Sequence, residues 1–336
     1  MKKMIKFTDI KQYRNIVRDV CYIPEGETRA EQPTLSFIGT VKLHGTNAGI
    51  SYNKKDGIWY QSRKRIITLD KDNAGFAFFA ENRKVWFEEV FKAISKDGFT
   101  TTIFGEWCGG SIQKGVALNQ LSKRFVIFAI KYTNSADESD HYYTIPKISN
   151  EALDVYNIYD TRFPSYTVDV DFNHPEYAQE EMVKIVEAVE NECPFAKSFG
   201  ISGVGEGVVF SNFDTSGNRK YIFKVKGEKH STSKVKTLAS VDIEKIKSID
   251  AFVDYAVTDN RLNQAIEQVF AANSEEPSIH KMGEFLKWIM RDIVKEELDV
   301  LNGNGLEPKD VGKAISNKAR RWFMDYLDNL SFRVGV

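Results

Sequence analysis

The hydrophobic pattern of this chain changes period once, near Lys236, and that change limits what it can fold into. Before it, short β-branched and aromatic runs are separated by Gly, Asn and Asp. LSFIGTVKL, AGISYN, GIWYQSR, TTIFGEW, RFVIFAIKY, EGVVFS and KYIFKVKG each read as a strand. Two segments between them repeat at helical spacing instead. NRKVWFEEVFKAIS places Val85, Trp86, Val90, Phe91 and Ile94 on one side, and PEYAQEEMVKIVEAVEN does the same with Tyr177, Met182, Ile185, Val186 and Val189. After Lys236 only helical patterns follow: IEKIKSIDAFVDYAV, RLNQAIEQVFAA, IHKMGEFLKWIMRDIVKEEL and PKDVGKAISNKARRWFMDYLDNL. NGNG at 302–305 breaks the last two apart, and Pro308 suits a first helical turn. The pattern predicts an α+β chain with a sheet-rich domain over 1–238 and a smaller all-helical domain over 239–336, the boundary falling near 237–242.

Composition excludes several classes. The net charge is −1, so no global basic surplus marks a nucleic-acid binder, and any such role must rest on local placement. Three cysteines, Cys21, Cys108 and Cys193, form no CxxC pair, which argues against a disulfide framework and a zinc site. A reducing cytoplasm is the expected setting. The N-terminal stretch has early lysines but no apolar core of a secretory signal, and no apolar run reaches membrane-spanning length. Nothing in the sequence demands more than a monomer.

KxxG occurs five times, beginning at Lys42, Lys54, Lys197, Lys224 and Lys309. Chance alone supplies about one in a chain of this size. Only Lys42 opens KLHGTN between two strand-like runs. Two readings of that segment stand: a strand-end lysine facing a phosphate pocket, with Gly45 letting the backbone approach, or a polar hairpin turn with a solvated lysine. Other segments suit the first. A lysine that attacks an α-phosphate must be neutral, and the phosphorus needs positive charge around its oxygens. Glu106 ends a strand before a glycine-rich turn in FGEWCGGSIQK, and its carboxylate suits a ribose hydroxyl. Glu206 begins the buried strand EGVVF as strand punctuation or as a metal-directed carboxylate. Lys224 and Lys226 fall on one face of YIFKVK by period-2 alternation, a pair that favours an anion or lies on an exposed strand face. Phe128 in RFVIFAI is a core residue or a platform for a purine. Arg63 and Arg65 in QSRKRI share a strand face suited to phosphate.

KLHGTN at 42–47, FGEWCGGSIQK at 104–114, EGVVF at 206–210 and KVK at 224–226, in this order, resemble the covalent nucleotidyltransferase superfamily of ATP-dependent ligases and capping enzymes. The chain looks most like its RNA ligase 2-type group, over roughly residues 35–230. That resemblance implies an antiparallel-sheet, ATP-grasp-like ligase domain followed by an all-helical domain. It implies ATP and Mg2+ or Mn2+ as cofactors, and RNA ends or a nicked RNA duplex as partner, with no membrane. Lys42 becomes the adenylated nucleophile. His44 and Asn47 lie about the nucleotide, Arg63 or Arg65 contacts phosphate, and Glu106 binds the ribose. Phe128 stacks on adenine, Glu206 joins the metal shell, and Lys224 and Lys226 hold the α-phosphate. Arg63, Arg65, Lys229 and Lys234 are expected on the RNA. A phage origin, RNA repair and a host cytoplasm come from the resemblance alone. Two departures stand out: Ala129 where the group carries an acidic residue, and Val41 where relatives often carry glutamate. The rival readings are a DNA ligase or GTP-using capping enzyme, which usually append a β-barrel, and a non-catalytic RNA-binding protein on the same fold.

Overall fold

In the computed structural model, residues 2–26, 28, 31–113, 115–227, 249–270 and 275–334 are described. The chain divides into two compact units, residues 1–225 and 226–336. The expected boundary at 237–242 lies outside the described residues.

The first unit is built on two sheets. One contains β1 (Lys11–Gln12), β12 (Arg219–Lys226), β11 (Gly207–Phe213), β2 (Thr34–Val41) and β10 (Ser165–Asp171), in that spatial order. The other runs β5 (Ile66–Ile67), β4 (Gly57–Ser62), β3 (Thr46–Asn53), β6 (Phe99–Cys108), β7 (Arg124–Asn134) and β8 (His141–Thr144), with β9 (Val155–Asn157) also on β7. Neighbours in the second sheet pair antiparallel except β7 with β9. In the first, β2 pairs antiparallel with β10 and β11, while β1 runs parallel to β12. All seven strand-like runs therefore form strands.

Helices cover one face of each sheet. On the first sheet, α4 (Tyr177–Asn191) packs on β10 and β11 through Ala178, Met182, Val186 and Val189. Tyr13 of α1 (Tyr13–Cys21) reaches the same layer, its ring 5.2 Å from that of Phe223. On the second sheet, α2 (Phe76–Glu81) and α3 (Lys84–Ile94) bury Phe76, Phe79, Phe87 and Phe91 against Ile50, Ile103, Phe125 and Ile127. These rings each contribute about 1.5–3 kcal/mol by leaving water.

Two assignments of helix face are corrected. Val85 is 75% exposed and Phe87 is fully buried, because α3 begins at Lys84 and turns its 87–91 pair to the sheet. Tyr177 is 73% exposed and stacks on His174, because the buried stripe of α4 starts at Ala178. The sequence pattern also passed over α1, β8, β9 and β10. In SYTVDVD, Val168 and Val170 are buried in alternation, but aspartates masked a strand in which all seven residues pair with β2.

The second unit's described elements are helices: α6 (Ile249–Ala256), α7 (Asp259–Val269), α8 (Met282–Gly303) and α9 (Pro308–Val334), with α5 (Pro194–Lys197) belonging to the first unit. Their shared core includes Phe252, Leu262, Phe270, Phe285, Ile289, Ile315 and Phe323. Among the described residues no helix is long and apolar enough to cross a membrane.

Candidate active site

Strand register builds the site. β2 ends at Val41, which pairs with Val208 of β11, and the ladder continues one step further as the Lys42 N–H donates to the Gly207 carbonyl at 2.8 Å. Lys42 thus sits beside Glu206, the residue that opens EGVVF. Its Nζ lies 2.6 Å from Glu206 Oε2, and the carboxylate is 3% exposed. His44 Nδ1 is 3.2 Å from the same oxygen. A solvated hairpin lysine does not fit this geometry: the Lys42 side chain is 20% exposed and held on a buried acid.

The second sheet supplies the opposing carboxylate. Asn47 pairs with Glu106 across β3 and β6, and the Gly45 N–H donates to that carboxyl. Burial pushes the Glu106 acid up to about 7. Lys42 pulls it down, Glu206 pushes it up, and His44 and the Gly45 N–H oppose the rise. KLHG therefore brings the lysine, histidine and both glutamates within electrostatic reach of one another. Gly45 is what permits this. A Cβ there would collide with the Trp107 carbonyl oxygen and lie 2.7 Å from Cβ of Cys108. The backbone between β2 and β3 lies directly against the end of β6.

Lys224 and Lys226 stand two residues apart at the end of β12, both half-buried, with Lys224 opposite Gln12 in the register. Phe128 lies on β7 where the register to β6 shifts: Ala129 faces Phe104 and Ile127 faces Gly105. Phe128 is thus the extra residue of a β-bulge. It is half-buried, and its ring meets the ring of Phe7 edge-on at 5.0 Å.

The arginine pair is corrected. Arg63 and Arg65 do not share a strand face; they flank Lys64 in the exposed turn between β4 and β5, closed by the Ser62 N–H to the Arg65 carbonyl at 2.9 Å. Arg63 pairs with Asp9 at 2.6 Å. Arg65 donates to the carbonyls of Lys71 and Asp72 and ties down the loop that leads to α2. Lys229 and Lys234 lie outside the described residues.

Among the described residues no group of three or more His, Cys, Asp or Glu side chains is placed to hold a metal ion. The donors at the site are the carboxylates of Glu206 and Glu106. This set suits a hard divalent ion that keeps most of its ligands from phosphate and water, rather than an all-protein cage. The N-terminal segment, with Phe7, Asp9 and Gln12, is the part of the site's surroundings that no motif marked.

The site thus joins a lysine ion-paired to a buried glutamate with a second glutamate, in an α+β unit built on two mixed sheets. Residues 35–226 match the family model for RNA ligase, and the chain belongs to the RNA ligase family. A search of curated proteins gives no match. Solved structures of Naegleria gruberi RNA ligase are similar. A form with PPi is 21% identical with a TM-score of 0.43, and covers 66% of this chain and 56% of that one. A mutant with ATP and Mn is 20% identical with a TM-score of 0.41 and the same coverage. The chain thus spans 56% of the length of these Naegleria chains.

Proposed function

We propose that this protein is an ATP-dependent RNA ligase that joins a 3′-hydroxyl to a 5′-phosphate through a lysyl-AMP on Lys42. The observation that carries this reading is the Lys42–Glu206 contact of 2.6 Å beside Glu106, in a chain of the RNA ligase family. In the first step the neutral Lys42 Nζ attacks the α-phosphate of ATP. The N–P bond forms, the bond from Pα to the bridging oxygen breaks, pyrophosphate leaves, and the amine loses a proton. In the second, a 5′-phosphate oxygen of RNA displaces the lysine, which regains a proton. In the third, the 3′-hydroxyl oxygen attacks the activated 5′-phosphate and loses its proton, the bond from that phosphorus to the oxygen of AMP breaks, and AMP departs.

The residues divide the work. Glu206 holds the Lys42 side chain in place at the end of β2 through their 2.6 Å contact. A bound Mg2+ or Mn2+ would be held by Glu206 with phosphate oxygens, and would supply charge neutralisation there. Glu106, half-protonated near pH 7, is suited to a ribose hydroxyl as donor or acceptor. Lys224 and Lys226 supply fixed positive charge for the α-phosphate. Phe128 is the base platform, and His44 and Asn47 line the nucleotide. Arg63, Arg65, Lys229 and Lys234 are the proposed RNA contacts, with nicked duplex RNA as the preferred substrate. A monomer in the cytoplasm, acting in RNA repair and encoded by a phage, completes the reading. The helices of the second unit's described residues favour it over a DNA ligase or capping enzyme with a β-barrel.

The test is transfer of label from α-labelled ATP to the denatured protein in the presence of Mg2+, with Lys42→Ala beside it. Label on the wild type that disappears in the variant is the expected result. A folded, adduct-free protein that takes no label from ATP or GTP would overturn the reading.

A further inference from the structure

Residues 2–12 form a strap over the face of the second sheet opposite its helices. The indole of Trp59 donates to the Lys3 carbonyl at 3.0 Å. The Gln61 amide accepts the Ile5 N–H at 3.0 Å and donates to the Ile5 carbonyl at 2.5 Å. Lys131 reaches the Lys6 carbonyl at 3.0 Å, and the Thr8 N–H donates to the Tyr143 hydroxyl at 2.9 Å. The strap then crosses to the first sheet, where Lys11 and Gln12 pair with Phe223 and Lys224. Alternation along β6 puts Phe104 on the same face as Glu106, so the strap lies on the face that carries the site.

At its centre is Phe7. Its ring is 5.1 Å from Phe104, 5.0 Å from Phe128 and 5.4 Å from Tyr143, each edge-on. The Arg219 guanidinium caps the group, 4.9 Å from Phe7 and 4.2 Å from Tyr143. Phe104 is fully buried and Tyr143 is nearly so, which makes them fixed walls. Phe128 is different. As the extra residue of a bulge it has no cross-strand partner to set its direction. Phe128 packs at the edge of the cluster of Ile5, Trp59, Phe104, Ala129 and Tyr143, and among the described residues Phe7 is the one ring at aromatic-pair distance from it.

We propose that Phe7 is a positioning residue for nucleotide binding: wedged between two buried rings, it presents its ring to Phe128 and fixes the angle at which Phe128 receives a purine. This rests on Phe128 being the base platform. Phe7 does not touch the nucleotide; it acts by removing the freedom of a ring that the β-bulge leaves unguided. An unguided ring must be ordered when ATP binds, which weakens binding and leaves the later phosphoryl transfer nearly untouched.

The experiment measures the rate of lysyl-AMP formation against ATP concentration for wild type, Phe7→Ala, Phe7→Tyr, Phe128→Ala and Phe7→Ala/Phe128→Ala. Phe7→Ala is expected to raise the half-saturating ATP concentration by about five- to tenfold with a maximal rate within about twofold, the scale of one aromatic pair. Phe7→Tyr keeps the ring and should restore the wild-type value. In the Phe128→Ala background the Phe7 change should have no further effect. Phe7→Leu replaces Phe7→Ala if the alanine variant does not fold, since it keeps the apolar volume. An unchanged ATP dependence in Phe7→Ala, with Phe128→Ala impaired, overturns the proposal alone. An equal Phe7 effect in both backgrounds also overturns it, by making the role structural. If Phe128→Ala itself leaves ATP dependence unchanged, the base-platform reading fails and the proposal falls with it.

Discussion

Glu106 is the residue whose chemistry departs furthest from its free form at the site. Its acid is raised to about 7 chiefly by burial, so between pH 4.5 and 7 the folded chain binds a proton that the unfolded chain has released. The folded state binds more protons there, so stability falls as pH rises through that window and is lowest, for this group, above 7. In the metal-free protein Glu106→Gln should therefore raise the melting temperature at pH 8 relative to wild type and leave it nearly unchanged at pH 4. A melting temperature equally shifted at both pH values would show that Glu106 is not held protonated by its surroundings. The sequence showed the glutamate and its strand but not this shift, which arises chiefly from the burial that folding imposes, with Glu206 adding to it and Lys42 and His44 opposing it. The Lys42–Glu206 contact spans 164 positions. Short motifs picked out both partners, and only the β2–β11 register joined them. Arg63 and Arg65 show the reverse. An alternation rule applied to QSRKRI continued a strand that ends at Ser62, where the turn to β5 begins.

At the scale of elements, the helical second unit is locked by a charge network rather than by apolar contact alone. Arg261 of α7 is fully buried. It donates to Asp292 at 2.8 Å and Glu297 at 3.0 Å, both on α8, and to the Ala256 carbonyl at the end of α6. The Tyr255 hydroxyl completes the set at 2.7 Å from Glu297. Every group is satisfied, so the network fixes the register of three helices even where its net contribution is small. Removing Arg261 is costly because Glu297 stays fully buried and Asp292 is only partly exposed. Arg261→Met should destabilise the chain by about 3–5 kcal/mol in denaturant unfolding. A loss below about 1 kcal/mol would mean the acids find water or other donors, and the network reading would fail. The helices themselves were legible from 3.6-residue periodicity, since each carries its own apolar stripe. The network was not, because Arg261 and its carboxylates are 31 and 36 positions apart and a charged residue in a helix ordinarily signals an exposed face.

At the scale of the whole molecule, charge decides how the proposed RNA substrate would be met. Lysine and arginine number 46 against 47 acidic residues, so no long-range field draws a polyanion to the chain. Binding must come from a few local contacts, and those release few counterions. With Arg63, Arg65, Lys229 and Lys234 as the contacts, log affinity should fall with log salt at a slope of roughly −3 for a single strand and −4 for a duplex. Replacing Arg63 with alanine should make either slope shallower by about one contact's share. As the proposed phosphate contact Arg63 would have to leave Asp9, so Asp9→Asn is the companion variant: it removes that competitor while leaving the contact count, and hence the slope, unchanged. Fluorescence anisotropy of a labelled nicked RNA duplex across a salt series measures all three. A flat salt dependence would remove the phosphate contacts from the account, and a much steeper one would mean that a larger basic surface than these four residues meets the RNA.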